Sequence, residues 1–320
     1  MAMPRVSVIL PAYNAESSLG AALDSVLVQS QDDLEVLVID DASRDRTADI
    51  AADYAARDGR VRLLHSDINR GAAAARNLGF SAAQGRWLAV LDADDSFAPR
   101  RLESLIARAE REEADIIADN LRFVAHPEGH DLGTALPARS AAFRGPLSAA
   151  RFVRGNLFLT RGFKLGYLKP ILRRRFVERH GLRQNERLRI AEDYHFLLDA
   201  LLCGGRFFIA PAAGYRYTQR PGSLSRGLTL EDLRQLSAAN RLDLLRASPQ
   251  GGADLRSALQ KRQWSVDLNI RLVEFQAALK RRRVWDAGRI YARNPDLTPY
   301  LAFYGLQSLR KRLPGGDRLV

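Results

Sequence analysis

The chain has 320 residues, 46% of them hydrophobic and 27% charged, which excludes disorder as a description of the whole and allows one large domain or two modest ones. A single cysteine, Cys203, excludes a disulfide framework and a cysteine-built zinc site. The net charge is +12 and the sequence pI about 10.3, yet residues 1–120 hold 13 Lys+Arg against 21 Asp+Glu, while 121–229 hold 19 against 7 and 230–320 hold 17 against 9.

Val6 to Leu10 is a short β-branched run ended by Pro11, the pattern of a buried strand. Glu16 to Val28 has helical spacing, with Leu19, Leu23, Val26 and Leu27 on one side. Glu35 to Ile39 predicts a second buried strand ended by Asp40-Asp41, and Thr47 to Arg57 an alanine-rich helix. Val61 to His65 is a third strand, Gly71 to Ala83 a helix, and Trp87 to Leu91 a fourth strand ended by Asp92-Ala93-Asp94-Asp95. A helix over 101–112 and a fifth strand over 115–120 complete the alternation. Alternating strands and helices predict an α/β fold with a mostly parallel sheet, whose ligands bind at the carboxyl ends of the strands. Three polar clusters fall there: Pro11 to Asn14, Asp40-Asp41 and Asp92 to Asp95.

Beyond residue 120 the alternation stops. Residues 125–150 read as a loop region, Leu165 to Arg175 mixes apolar and basic residues, and Ala191 to Leu202 reads as a helix. Phe207 to Ile209 and Gly214 to Thr218 predict two short strands, and from Glu231 onward the pattern is helical with basic faces. The expected organisation is a domain over 1–229, divided near residue 120, and a basic helical region over 230–320.

Several carboxylates crowded at one strand end repel each other, and a hard divalent cation with oxygen ligands offsets that cost while leaving positions open for phosphates. Taken singly, the acidic turn also fits a helix N-terminus. Asp40-Asp41 fits either an Asx-type turn or a carboxylate reading a base edge or ribose. Tyr13 offers a ring on which a base could stack. Asn69 to Asn77 opens a helix with small residues, so a diphosphate could meet both the helix N-terminus and Arg76. Glu192-Asp193 opens an apolar helix, where acidic residues also complement the helix dipole.

Together, Val6 to Asn14, Glu35 to Thr47, Asn69 to Asn77, Gly85 to Asp95 and Glu192-Asp193 resemble glycosyltransferase family 2. Phe163 to Pro170 and Arg189 to Asp193 resemble its bacterial succinoglycan-type exopolysaccharide branch. The resemblance implies a GT-A fold with a helical C-terminal extension, and an inverting, metal-dependent transferase using nucleotide sugars. It implies Pro11, Tyr13, Asp40, Asp41, Arg76 and Asp94 at the nucleotide, and Asp94 and Asp95 at Mg or Mn. Asp193 is then the base, with Glu192 beside it, and Asp92, an additional acid at that strand end, points either toward the sheet edge or into the site. Arg220, Ser223 and Ser225 resemble a loop that closes over phosphates, although many relatives have histidine where Arg220 stands.

The implied partners are a nucleoside diphosphate sugar, expected to be UDP-linked, a lipid-linked saccharide acceptor and an anionic membrane surface, with no nucleic acid. Met1 to Arg5 leads straight into the first strand, so a cytoplasmic location, peripheral to the inner face of the plasma membrane, is expected. Phe303, Leu306, Leu309 and Leu313 beside Arg310-Lys311-Arg312 suggest a basic amphipathic helix for that surface. A nucleotidyltransferase acting on sugar phosphates is the alternative, although Pro11 to Asn14 lacks the glycine- and lysine-rich loop it needs. A nucleic-acid binder would need basic and aromatic residues interleaved on one face.

Overall fold

The computed structural model describes residues 3–126, 129–158, 160, 162–219, 229–247 and 252–301. They form two compact units: the first comprises the described residues of Met1–Asn156 and Phe163–Arg226, the second those of Leu157–Gly162 and Gly227–Val320.

In the first unit, β1 (Val6–Ala12), β2 (Leu34–Asp40), β3 (Val61–His65) and β4 (Trp87–Val90) pair in parallel. Every residue of β2 and β4 is buried, as an apolar run covered on both faces demands. Helices α1 (Leu19–Leu27), α2 (Thr47–Arg57) and α3 (Ala72–Ala82) link these strands. A two-residue strand, β5 (Ser96–Phe97), follows the Asp92 to Asp95 turn, and α4 (Arg101–Arg111) buries Leu102, Leu105, Ile106 and Ala109 at helical spacing.

The predicted fifth strand runs on to Ala125 as β6 (Ile116–Ala125) and pairs with β7 (Asp131–Thr134), inside the stretch expected to be loop. Then come α5 (Ala149–Arg154), β8 (Ile171–Arg173), α6 (Arg174–Arg179), α7 (Glu192–Leu202) and β9 (Phe207–Gln219). The two short strands expected over 207–218 are one long strand, whose register with β6 shifts between Asp119 and Leu121. The sheet order is β3-β2-β1-β4-β8-β6-β9-β5. It is mixed: β8 runs antiparallel to β4 and β6, and β5 antiparallel to β9.

The ion pair of Arg101 and Asp119 is buried where β6 shifts register, with Arg101 Nη2 to Asp119 Oδ1 at 2.8 Å. The guanidinium lies over the rings of Phe97 (4.4 Å) and Tyr215 (5.2 Å) and donates to the Lys169 carbonyl. One fully buried cation therefore holds the Lys169 backbone and the Tyr215 ring, two residues that reach the candidate site.

The second unit contains α8 (Leu230–Ala247), α9 (Ala253–Lys280) and α10 (Val284–Arg293). Leu268 and Leu272 of α9 bury against Leu297, with Ile290, Tyr300 and Leu301 packed on them. Among the described residues no helix is long and apolar enough to cross a membrane.

Candidate active site

The carboxyl ends of β1, β2 and β4, the start of α3 and the start of α7 supply the site residues of the first unit. Non-glycine residues with positive φ border three of its motifs: Asn14 (48°) after Tyr13, Ala42 (58°) after Asp40-Asp41, and Ala191 (60°) before Glu192-Asp193. Left-handed backbone at such residues costs about 1–3 kcal/mol each and persists where surrounding structure enforces it.

Tyr13 is 47% exposed at the end of β1, and Pro11 is half-buried. Asp40 and Asp41 are buried. Asp40 Oδ2 is 2.9 Å from His65 Nδ1 and accepts the Ser43 N–H, while Oδ1 has no hydrogen-bond partner. Asp41 accepts the backbone N–H groups of Arg70 (3.0 Å) and Gly71 (2.7 Å). Gly71 has φ 87° at the N-cap of α3, a conformation that suits glycine. Asp41 thus props the turn from which α3 begins.

Arg76 projects from α3 into the centre of the unit, and its side chain is 5% exposed. Its Nη2 donates to Asp92 Oδ1 (2.8 Å), and its Nη1 to Glu192 Oε1 (3.1 Å) and Asp193 Oδ1 (3.0 Å). The guanidinium is held by these three carboxylates. One turn along each helix, the rings of Phe80 and Phe196 stack at 5.4 Å, which fixes Arg76 against Asp193. Of the two orientations open to Asp92, the structure shows the one inside the cluster. Its Oδ2 is 2.9 Å from Lys169 Nζ, which also donates to Asp193 Oδ2 at 2.9 Å. Gln184 Nε2 donates to Asp193 Oδ1 at 2.7 Å.

Lys169 reaches this point because the Leu165–Tyr167 turn sits directly on α7. A Cβ at Gly166 would lie 3.0 Å from Asn156 Oδ1 and 3.0 Å from Tyr194 Cβ. Behind Lys169 and Asp193 the lining is apolar, with Phe80, Val90, Leu168, Pro170 and Phe196.

These surroundings push the two acids of α7 apart. Burial raises Glu192, and the neighbouring Asp193 charge raises it further, above the usual carboxylate range. Burial also pushes Asp193 up, but Arg76 and Lys169 outweigh it and hold the carboxyl low. Lys169 is held protonated above the ordinary lysine range by Asp193 and Asp92, against its burial. Two acids displaced in opposite directions are the pattern of divided acid and base roles.

Asp95 is the opposite case. It is 4% exposed, accepts the Tyr215 hydroxyl at 2.7 Å and the Thr218 N–H at 2.7 Å, and has no ion pair among the described residues. Burial first, then repulsion from Asp92 and Asp94, push its carboxyl well above the usual range. Asp94 is exposed beside it. Two hard oxygen donors with an unbalanced buried charge fit a divalent cation. Among the described residues no group of three or more His, Cys, Asp or Glu could hold a metal alone, so such an ion would draw further ligands from its substrate or water. The phosphate loop with Arg220, Ser223 and Ser225 lies outside the described residues.

A family model for glycosyl transferase family 2 matches residues 7–172. The chain belongs to glycosyltransferase family 2. It is 42% identical over 249 residues to the succinoglycan biosynthesis protein ExoO of Rhizobium meliloti, across 78% of this chain and 70% of that protein. Its fold matches TarS of S. aureus in complex with UDP-GlcNAc, with a TM-score of 0.61 and 19% identity over 91% of this chain and 92% of that one. It also matches the mannosyltransferase PcManGT of Pyrobaculum calidifontis in complex with GDP-Man and Mn2+, with a TM-score of 0.59 and 18% identity over 96% and 81%. These likenesses show the GT-A type fold.

In this glycosyltransferase, the sequence reading assigned no role to Lys169, Gln184 or Tyr215. The signal for Lys169 was a lysine among apolar residues before Pro170, since a buried lysine needs a paired acid. Gln184, in a polar loop, carried no comparable signal.

Proposed function

We propose that this glycosyltransferase moves one sugar from a nucleoside diphosphate sugar, UDP-linked in the first instance, to a lipid-linked saccharide during exopolysaccharide assembly, with inversion. The observation that carries the reading is Asp193: an ionised carboxylate at the start of α7, 19% exposed and fixed on three donors. The acceptor hydroxyl gives its proton to Asp193 as its oxygen bonds to the anomeric carbon, and the bond to the diphosphate breaks with its electron pair on the diphosphate. Asp94 and Asp95 would hold Mg or Mn, which supplies charge neutralisation for the diphosphate. Tyr13 would stack on the base, and Pro11, Asp40 and Asp41 would shape the pocket for base and ribose. ExoO, named for succinoglycan biosynthesis, supports the exopolysaccharide assignment. The UDP-GlcNAc in the TarS complex and the GDP-Man in the PcManGT complex support the donor class, and the Mn2+ with PcManGT supports the metal.

Thermal unfolding with UDP, GDP and single-stranded DNA, each with and without Mn2+, tests this. A diphosphate with Mn2+ at about a hundred times its Kd is expected to add about 2.7 kcal/mol of stability, and Asp95→Asn to lose most of that gain. A shift with DNA and none with either diphosphate contradicts the reading.

The second unit supports contact with an anionic membrane surface at the cytoplasmic face. Residues 279–286 are all exposed across the turn from α9 to α10. They combine Lys280, Arg281, Arg282 and Arg283 with Leu279 (46% exposed), Val284 (67%) and Trp285 (87%). Cations and an exposed indole suit the lipid headgroup region. The full chain is expected to float with phosphatidylglycerol vesicles and not with phosphatidylcholine, and Trp285→Ala with Arg282→Ala to lose flotation. Unchanged flotation of that variant contradicts this placement. The amphipathic segment of Phe303 to Leu313 lies outside the described residues.

A further inference from the structure

Four charged groups of the first unit close a ring. Arg76 links Asp92 Oδ1 (2.8 Å) to Asp193 Oδ1 (3.0 Å), and Lys169 Nζ links Asp193 Oδ2 (2.9 Å) back to Asp92 Oδ2 (2.9 Å). Glu192 touches the ring at Arg76, and Gln184 at Asp193 Oδ1. The Lys169 side chain is 8% exposed and that of Asp193 19%.

An ionised carboxylate offers about four acceptor positions, two on each oxygen. Arg76 and Gln184 occupy both positions on Asp193 Oδ1. Lys169 occupies one on Oδ2. Among the described residues one position remains, on Oδ2, and an acceptor hydroxyl donates there. Where that position faces depends on where Lys169 holds its own.

We propose that Lys169 is the positioning residue of the base: it turns Asp193 so that the one open lone pair of Oδ2 meets the acceptor hydroxyl, while Asp92 keeps the lysine in place through the reaction. The proposal rests on Asp193 being the base. During transfer the hydroxyl proton moves to Oδ2, the hydroxyl oxygen bonds to the anomeric carbon, and the carbon–oxygen bond to the diphosphate breaks with its electrons on the diphosphate. Asp193 is then neutral. Without Asp92 the buried ammonium would lose its counter-ion at that moment; with Asp92 it stays paired, and the ring survives each turnover.

Lys169→Met keeps the length of the side chain and removes its charge and its donors; Lys169→Arg restores both with a different head. The readouts are kcat and KM for diphosphate release from whichever nucleotide sugar the wild type turns over, UDP affinity by calorimetry, and the Asp193 carboxyl pKa by carbon-13 NMR. Misplacing a reacting group by about 1 Å costs about a hundredfold, so Lys169→Met is expected to lower kcat about a hundredfold with KM and UDP affinity within about threefold. Lys169→Arg should recover about tenfold of that loss, and the Asp193 pKa should rise in Lys169→Met. The proposal is overturned by near-wild-type kcat in Lys169→Met, by UDP affinity that falls as much as kcat does, or by an unchanged Asp193 pKa. If Lys169→Met does not fold, Lys169→Arg decides: a lowered kcat at unchanged UDP affinity supports positioning, and full wild-type kcat overturns it. A wild type that turns over no nucleotide sugar defeats the proposed function, and the NMR titration still decides whether Lys169 controls Asp193.

Discussion

Asp193→Asn is expected to lower kcat about a thousandfold, within the range of about 10² to 10⁴ for a lost general base, while UDP affinity stays within about threefold. The amide keeps the shape of the side chain and an oxygen for Arg76 or Gln184. It has no site that takes up a proton near neutral pH. The sign of the pH dependence follows from the surroundings of the carboxyl. Burial pushes it up, and Arg76 and Lys169 pull it further down. Its folded value therefore lies below the unfolded one of about 3.9. The stability it contributes is present above that unfolded value and is lost as the pH falls through the folded one. By the same sign, Asp193 stays ionised across neutral and mildly acidic pH, so kcat should show no acid limb from this group above about pH 4. Steady-state rates from pH 5 to 8 check this; an acid limb that Asp193→Asn removes would contradict the assignment.

Arg76→Met carries the second large effect. Arg76 is one of two cations against three acids, Asp92, Glu192 and Asp193. Removing one partner of a buried ion pair costs about 3–5 kcal/mol, because the other charges stay behind. At about 2–4 °C per kcal/mol for a unit of this size, the melting temperature of the first unit should fall by about 10 °C. Arg76→Lys should not restore it, since one ammonium cannot span carboxylates that a planar fork reaches on two sides. Calorimetry reads both variants. A melting temperature within about 2 °C of wild type would mean that the cluster is not held together through this residue.

The legible and illegible parts of the site divide by sequence distance. Strands β1, β2 and β4 are buried on both faces, so their apolar runs and the polar clusters that end them stood out in the chain. Tyr13, Asp40, Asp41, Asp94 and Asp95 came with them. What the chain could not display is which charges meet. Asp92 and Lys169 are 77 positions apart, and Arg76 and Asp193 are 117 apart; the antiparallel turn of β8 and the stacked rings of Phe80 and Phe196 bring them together. The local context of Arg76 is a helix opening with small residues, and only the fold shows three acids around it. The antiparallel strands were missed for a similar reason. β7 is short and exposed, so no apolar run marks it, and β9 is one strand that carries Pro211 to Gly214 in its middle, so that in sequence it reads as two.

The charge asymmetry along the chain takes on a local meaning. The acidic first third contributes Asp92 and the pair Asp94 and Asp95. The basic middle contributes Lys169, which, with Arg76, neutralises Asp92 and Asp193.

The most direct test of the central claim is the anomer that leaves the enzyme. An α-linked UDP-sugar incubated with the protein and Mn2+, with water as the acceptor, should release UDP and a free sugar whose first-formed anomer, read by proton NMR before mutarotation, is β. First release of the α anomer, or no turnover of any UDP- or GDP-linked sugar, would contradict single displacement with Asp193 as the base.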